Sequence, residues 1–379
     1  MKNLGIYVHI PFCKKKCDYC DFVSFEAENN VQEKYVDALC MDIKNSAIKF
    51  QEYEINTMYF GGGTPSYISE NLIVKILKEI QKNYKIANNA EITIEVNPGT
   101  VNKEKLEIYR KSGFNRISIG LQSTHDRLLK LIGRIHTYNE FLETYKSARE
   151  VGFENINVDL MLALPTQTME ELVDSVNKII NLKPEHISIY SLILEENTPL
   201  YNKVFSGKLE ILDEELEREM YWKTKKIFEK NKYNHYEISN FSKKGFESKH
   251  NMNCWLQEEY LGFGISAHSY FNNKRFARTS NLNEYIKNIE MNNSEKNIEI
   301  NEVQNRESKA KEYMLLGLRK IDGVSISAFE RKFEINPLFY FRFEISKLEE
   351  EGLLEVDLDN IKLTDKGLDL ANQVFEEFV

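Results

Sequence analysis

The chain has 379 residues, 42% of them hydrophobic and 29% charged, with a formal net charge of −9. That length carries one large domain with smaller additions, and that balance excludes extensive disorder. The acidic total disfavours nucleic acid as a partner, which asks for a basic face, and no apolar run is long enough to span a bilayer. Membrane contact is therefore expected to be peripheral at most.

The first twelve residues include an apolar stretch but run into a cysteine cluster with no small-residue cleavage site, so no secretory signal is read. Of five cysteines, three fall between positions 13 and 20. Clustered thiols point to metal or catalysis in a reducing cytoplasm rather than to a disulfide framework.

In chain order, the spacing predicts a strand over 5–10 and a helix over 31–50 with Tyr35, Ala38, Leu39 and Ile43 on one face. A strand over 57–60 and a helix over 69–84 follow, then a strand over 92–96 and a helix over 103–112. Further strands are predicted over 116–120, 156–160 and 187–192, with helical stretches between them. Strands alternating with helices imply parallel βα units with right-handed crossovers, in the manner of a barrel or part of one. In such folds chemistry sits on the loops after the strands. The polar and glycine-rich segments fall there: 13–20, 61–65, 95–98, Gln122 and Asp159.

From 199 to 240 the pattern turns helical and charged, with a long amphipathic helix over 214–230. Residues 281–301 are polar and rich in Asn and Glu, and are predicted to be a linker. Helices over 308–320, 325–333 and 337–351 then precede a hairpin over 353–356 and 361–363, like a winged helix. The expected division is a barrel over 1–210, a helical and loop extension completing the site over 211–300, and a winged-helix-like domain over 301–379.

The sharpest motif is Cys13-Lys-Lys-Lys-Cys17-Asp-Tyr-Cys20. Thiolates are soft ligands for iron–sulfur clusters and zinc. Four of them close a cubane for electron transfer, whereas three leave one iron open for a ligand's amino and carboxylate groups. Lys14, Lys15 and Lys16 place positive charge beside an anionic cluster, which favours its reduced form or the docking of a partner. The alternative is a structural zinc knuckle with His9 as fourth ligand. Phe12 and Tyr19 interleave the thiols and can shield a cluster from water, which zinc does not need. Cys40 lies in an apolar helical pattern and reads as a small core residue.

Tyr7-Val-His-Ile-Pro-Phe-Cys13, with this cysteine spacing, resembles the opening of radical S-adenosylmethionine (SAM) proteins of the oxygen-independent coproporphyrinogen III oxidase group. The resemblance continues through Gly61-Gly-Gly-Thr-Pro65, Glu95-Val-Asn-Pro98, the segment 113–122, Gly133-Arg134 and Asn157-Val-Asp159. It extends to Tyr236-Glu-Ile-Ser-Asn-Phe241, His250-Asn251 with Trp255, and the segment 262–268. It implies a partial (β/α)6 TIM-like barrel with a C-terminal helical, winged-helix-like accessory domain. It implies a [4Fe–4S] cluster on Cys13, Cys17 and Cys20. Tyr7 and Tyr19 would flank SAM, Gly62, Gly63 and Thr64 would present backbone to its methionyl part, and Glu95, Gln122, Arg134 and Asp159 would fix its polar groups. Electron transfer to SAM would yield a 5′-deoxyadenosyl radical, with a flavodoxin or ferredoxin as donor.

One position separates two branches. The oxidative decarboxylases carry a further cysteine two residues after the third cluster cysteine, where this chain has Phe22, and they have a longer segment before the Tyr-x-His motif. Both features resemble the HemW branch, whose members are regarded as heme chaperones delivering heme to respiratory proteins. The competing expectation is an active coproporphyrinogen III dehydrogenase. A DNA-binding role for the C-terminal module is disfavoured by Glu344, Glu349, Glu350 and Glu351 on its candidate recognition stretch. For heme, the suggestive segment is His250-Asn-Met-Asn-Cys254-Trp255, which supplies two axial-ligand types; the branch usually has tyrosine where Cys254 stands. A packed His250 beside Trp255 is the other reading. His268 could line the SAM pocket or bond backbone, and His125, His136, His186 and His235 read as structural.

Overall fold

The computed structural model describes residues 2–379. Six parallel strands lie side by side in chain order: β1 (Lys2–Ile10), β2 (Tyr53–Gly62), β3 (Lys85–Val96), β4 (Arg116–Gln122), β5 (Asn155–Leu162) and β6 (His186–Ser191). Their side chains alternate with period two. Ile6, Val8, Met58, Phe60, Ile94, Ile117, Ile119, Val158 and Ile187 are fully buried in one core with the crossover helices. The positions between them are polar: Thr57, Tyr59, Thr93, Glu95, Arg116, Ser118, Asn157, Asp159, His186 and Ser188. One face of the sheet is therefore a hydrophobic seat for helices, and the other is a polar wall.

The crossover helices are started by local chemistry. Ser69 caps Glu70–Asn83, and Asn102 caps Lys103–Ser112, which Gly113 ends in a left-handed turn (φ 118°). Thr137 with Glu140 and Thr168 with Glu171 form capping boxes for Tyr138–Glu150 and Met169–Leu182. Each cap contributes about 1 kcal/mol by satisfying N–H groups that the helix leaves open.

The parallel series does not close on itself. Beyond β6 lie β8 (Asn240–Ser242) and then β7 (Asn234–Glu237); beyond β1 lie β9 (Tyr260–Phe263), β10 (His268–Phe271), β11 (Lys274–Arg278) and β12 (Ile298–Val303). β9 runs parallel to β1 and the strands after it are antiparallel. The result is an open, partial barrel of six βα strands with extended edges.

One sequence expectation is corrected here. Residues 281–301 are not a linker. They form the helix Leu282–Glu290, a 3-10 turn and most of β12. Tyr285 is fully buried, and its hydroxyl donates to Asp42 Oδ2 at 2.8 Å, beside the Arg278–Asp42 ion pair at 3.1 Å. The asparagines that look like linker composition do internal bonding: Asn281 caps the helix, and Asn297 Nδ2 donates to the Tyr285 carbonyl at 3.2 Å. The segment 211–300 also carries β7 through β11 and the first half of β12.

The C-terminal module has its own core, with Met314, Phe329, Phe333, Phe341, Leu348 and Phe378 at its centre. Its three-stranded sheet comprises β13 (Val324–Ser325), β14 (Leu354–Val356) and β15 (Asn360–Leu363), with β15 in the middle. The helix expected over 337–351 breaks at Phe341 (φ −105°, ψ 31°) into Pro337–Tyr340 and Arg342–Glu350. The break lets the Phe341 ring turn inward, 5.4 Å from Phe378 and 6.0 Å from Phe329. Among the described residues no helix is long and apolar enough to cross a membrane.

Candidate cofactor site

At the C-terminal rim of the parallel strands lies a cavity of about 520 Å³. The loop that follows β1 forms one side. It is closed at its base, where Cys13 N donates to the Phe25 carbonyl at 3.0 Å and Phe25 N to the Pro11 carbonyl at 2.9 Å. Its middle is tied outward: Asp18 N donates to the Ile132 carbonyl, Leu200 N donates to the Asp18 carbonyl, and Lys203 Nζ pairs with Asp18 Oδ2 at 2.6 Å. Gly133 is required there, since a Cβ on it would meet Asp18 Oδ1 at 2.5 Å. This bracing turns Cys13, Cys17 and Cys20 onto the same cavity. Burial raises the Cys13 thiol and pushes Cys20 up to about 11. Thiolates so enclosed require a compensating cation.

The zinc alternative has little support in this geometry. His9 Nε2 bonds the Val23 carbonyl at 2.9 Å and Nδ1 meets the Tyr7 hydroxyl at 3.0 Å, so both ring nitrogens are engaged. Among the described residues no three His, Cys, Asp or Glu side chains converge as a single ion requires.

The glycine segment after β2 forms the next wall. Gly63 N donates to the Ile10 carbonyl and Thr64 N to the Phe12 carbonyl, both at 2.9 Å. With those N–H groups committed, the segment can turn carbonyl oxygen toward a ligand, an acceptor suited to an ammonium group. A Cβ on Gly63 would come within 3.0 Å of Cys13 Sγ, and one on Gly62 (φ 112°) within 2.6 Å of His9 Nδ1. Thr64 Oγ1 lies 3.5 Å from Cys13 Sγ and accepts from Asn97 Nδ2 at 2.8 Å.

Arg134 crosses the rim as an inward guanidinium, not a surface ion pair. Nη2 donates to Asn97 Oδ1 at 2.6 Å and to the Gly120 carbonyl, Nη1 lies 3.5 Å from Cys17 Sγ, and the buried Nε has no partner. Gly120 leaves the space, since a Cβ there would sit 3.0 Å from Nη2. Next to it β4 shifts register, and Gln122 takes a left-handed conformation (φ 72°) at the cavity wall. Such strain at a rim residue is characteristic of ligand sites.

Two carboxylates lie deeper. Burial pushes Glu95 up to about 7, and the charge of Asp159 adds to this, although hydrogen bonds from Tyr59 and the Gly62 backbone oppose it. Burial also raises Asp159, against bonds from Asn157 Nδ2 at 2.7 Å and Ser118 Oγ at 3.1 Å. Of the two tyrosines expected to flank a ligand, Tyr19 lines the cavity. Tyr7 does not line it; its ring stacks on Tyr59 at 6.4 Å. Tyr59, Ser118 and Tyr190 complete the wall without having been singled out in the sequence. Their signal was present: each is a polar or aromatic residue at an inward position of a predicted strand.

The structure separates the heme-ligand candidates from this rim. His250 is 6% exposed and lies on the helix Lys249–Trp255, with Nδ1 3.0 Å from Thr57 Oγ1. Burial pushes it down to about 4 and Cys254 up to about 11. Heme iron would reach this imidazole only if the helix moved off the sheet. His268 is exposed at the start of β10 and is not on the cavity wall. His186 bonds Asn157 and Tyr236, His136 meets the Leu121 carbonyl, and His125 lies 3.1 Å from Asp174.

An open βα sheet with three thiols, a glycine turn and an inward guanidinium at its C-terminal rim defines a radical SAM fold. The family model of the radical SAM superfamily matches residues 7–179, and that of the HemN C-terminal domain matches residues 304–370. The chain is 38% identical over 379 residues to the heme chaperone HemW of Lactococcus lactis subsp. lactis, covering 100% of this chain and 98% of the relative. It is 37% identical over 374 residues to the heme chaperone HemW of Bacillus subtilis, covering 98% of each. The chain belongs to the HemW family. Among solved structures, coproporphyrinogen III oxidase (HemN) from Escherichia coli superposes with a TM-score of 0.87 at 23% identity, over 100% of this chain and 90% of that one. That likeness is one of fold.

Proposed function

We propose that this protein is a heme chaperone that holds a [4Fe–4S] cluster on Cys13, Cys17 and Cys20 and SAM in the adjoining cavity, and passes heme to a respiratory protein in the cytoplasm. Full-length similarity to two heme chaperones carries the reading. Phe22 in place of a further cysteine supports it against oxidative decarboxylation. The donor set suits both cofactors. Three thiols leave one iron of a cubane open, and a buried guanidinium nitrogen without a partner suits a carboxylate.

In this reading the Gly62–Thr64 carbonyls accept from the methionyl ammonium, Arg134 holds its carboxylate, and Glu95 and Asp159 accept from ribose or ammonium N–H and O–H groups. When bound, the reduced cluster supplies the electron that cleaves SAM. The chain's own work is orientation and the exclusion of water, with Tyr19 and Met161 covering the cavity side. The exposed Lys14 and Lys15 would meet an acidic electron donor such as a flavodoxin or ferredoxin. The three-part division at 210 and 300 is retained as a working proposal.

The test is anaerobic reconstitution followed by reductant, SAM and coproporphyrinogen III, with 5′-deoxyadenosine and porphyrin products read in one chromatographic run and heme binding read by its Soret band. Heme binding without decarboxylation is expected. Protoporphyrinogen formed with turnover would replace the chaperone reading by a biosynthetic one.

A further inference from the structure

The helix Lys249–Trp255 docks on the polar face of β1–β3 far below the cysteine loop. Its His250 touches β2 at Thr57, five positions before Gly62, or roughly 16 Å at the rise of a strand. The helix is fixed there by one carboxylate: Glu91 Oε1 accepts from His250 N at 3.1 Å and Oε2 from Lys249 N at 3.2 Å. Three contacts then lead upward. The imidazole stacks, offset and tilted, against the Tyr59 ring, with centroids 5.3 Å apart and planes 26° apart. Tyr59 is also stacked with Tyr7, its register partner on β1, at 6.4 Å and 27°. The Tyr59 hydroxyl donates to Glu95 Oε1 at 2.8 Å.

We infer that His250 is a positioning residue of the cofactor site: by stacking on Tyr59, it holds the hydroxyl that fixes the Glu95 carboxylate at the cavity wall. The inference rests on the reading of that cavity as the SAM site. An aromatic ring packed against two neighbouring rings loses much of the tilt that would carry its hydroxyl away from a partner. Thr57 locks the imidazole's own rotation through Nδ1, and Gly5 makes room, its missing Cβ lying 3.7 Å from the imidazole Cε1. Burial keeps the imidazole neutral, so it acts as a flat plate with one directional bond and not as a charge. The His-Asn-x-x-Cys-Trp segment thereby reaches the cofactor without contacting it. It also accounts for a histidine at this place without any bond to heme.

Glu95 faces Asp159 from β5, Arg116 from β4, Tyr190 from β6, Tyr59 from β2 and Tyr7 from β1. Of these, Tyr59 alone bonds it through a hydroxyl, and that bond favours the charged carboxylate. A freed Tyr59 must therefore raise the pH at which Glu95 ionises.

The test is equilibrium dialysis of SAM against the cluster-loaded chain across pH, with the change in the reduced cluster's EPR signal on SAM addition and a Soret titration with heme in parallel. In the parent chain SAM binding is expected to weaken as pH falls and Glu95, raised to about 7 by burial, takes up a proton. His250→Ala is expected to move that midpoint upward, as Tyr59→Phe does, and to weaken SAM binding about tenfold, the worth of one hydrogen bond to a charge. His250→Phe keeps the plate and should restore most of the affinity; Thr57→Val, which removes only the Nδ1 bond, should fall between. Heme binding should be unchanged in all of them. His250→Ala with the parent's midpoint and SAM affinity overturns the inference, as does loss of heme binding with SAM retained. A parent chain that loads its cluster yet binds no SAM overturns the underlying reading, before any variant is made.

Discussion

The inner face of the parallel sheet and the core of the C-terminal module are both interiors, yet they are built of opposite materials. The sheet's inner face is lined with Glu95, Asp159, Arg116, Asn157 and His186, and it opens into a cavity of about 520 Å³. The module's interior is phenylalanine on phenylalanine, with Phe329 4.6 Å from Phe333 and Phe341 5.4 Å from Phe378. Polar groups withdrawn from water cost free energy unless something completes their bonding. An apolar interior is complete in itself. The difference teaches which region is stable as it stands and which is finished by a ligand.

The sharpest way to break that comparison is Cys17→Ala. It should abolish iron binding after reconstitution, measured by metal analysis and EPR, while far-ultraviolet circular dichroism stays unchanged. A variant that unfolds outright would show that the loop carries the fold as well as the cluster. Next is Phe329→Ala, at a fully buried ring. It should destabilise the module by about 4 kcal/mol in denaturant titration and leave iron loading intact. Loss of iron in step with the module would make the two regions one cooperative unit.

Glu95→Gln tests the polar wall with the cofactors absent. The folded carboxyl ionises near 7, above its ordinary value of 4.5. Its contribution is therefore unaltered below pH 4.5, turns unfavourable as pH rises through that interval, and is constant above 7. The variant should gain stability at pH 8 on the order of 3 kcal/mol over the parent and nothing at pH 4, measured by denaturation of the cluster-free chain. Equal gains at both pH values would place the effect in packing. The smallest expected effect is that of Arg134→Lys. A lysine keeps the charge but loses the fork that bonds Asn97 and the Gly120 carbonyl. SAM affinity in the loaded chain should fall about tenfold, near 1.4 kcal/mol, with the far-ultraviolet circular dichroism of the parent retained.

Much of the sheet was legible because its alternation is regular. The strand over 116–120 and the helix over 103–112 were read from period alone, and the helix Glu214–Lys230 falls where its amphipathic pattern puts it. The rim residues were legible because glycine, cysteine and proline mark turns at fixed places after strands. Tyr59, Tyr190 and Arg116 were not picked out although each sits at an inward position of a predicted strand, since such a position stands out only once the inner face is known. The segment 281–301 misled because asparagine has two uses. In a linker it meets water, whereas here Asn288 and Asn297 bond each other and the backbone inside the fold. The break at Phe341 was hidden for a related reason: tertiary burial of one ring outweighs the helical propensity of its neighbours.

The pairing of β1 with β9 sets an order in time. Gly5 lies opposite Tyr260, so one edge of β1 stays bare until the chain has been made past that residue. At about 5–20 residues per second of synthesis, this wait lasts on the order of tens of seconds. During it a strand as apolar as Leu4–Ile10 presents open backbone to any other nascent chain. The thiol loop that follows is equally uncovered, because Arg134, Leu200 and Lys203, which brace it, emerge later. Contacts this distant in sequence are slow to form. The interval is one in which a holdase can shield the edge and iron–sulfur assembly machinery can reach three free thiols.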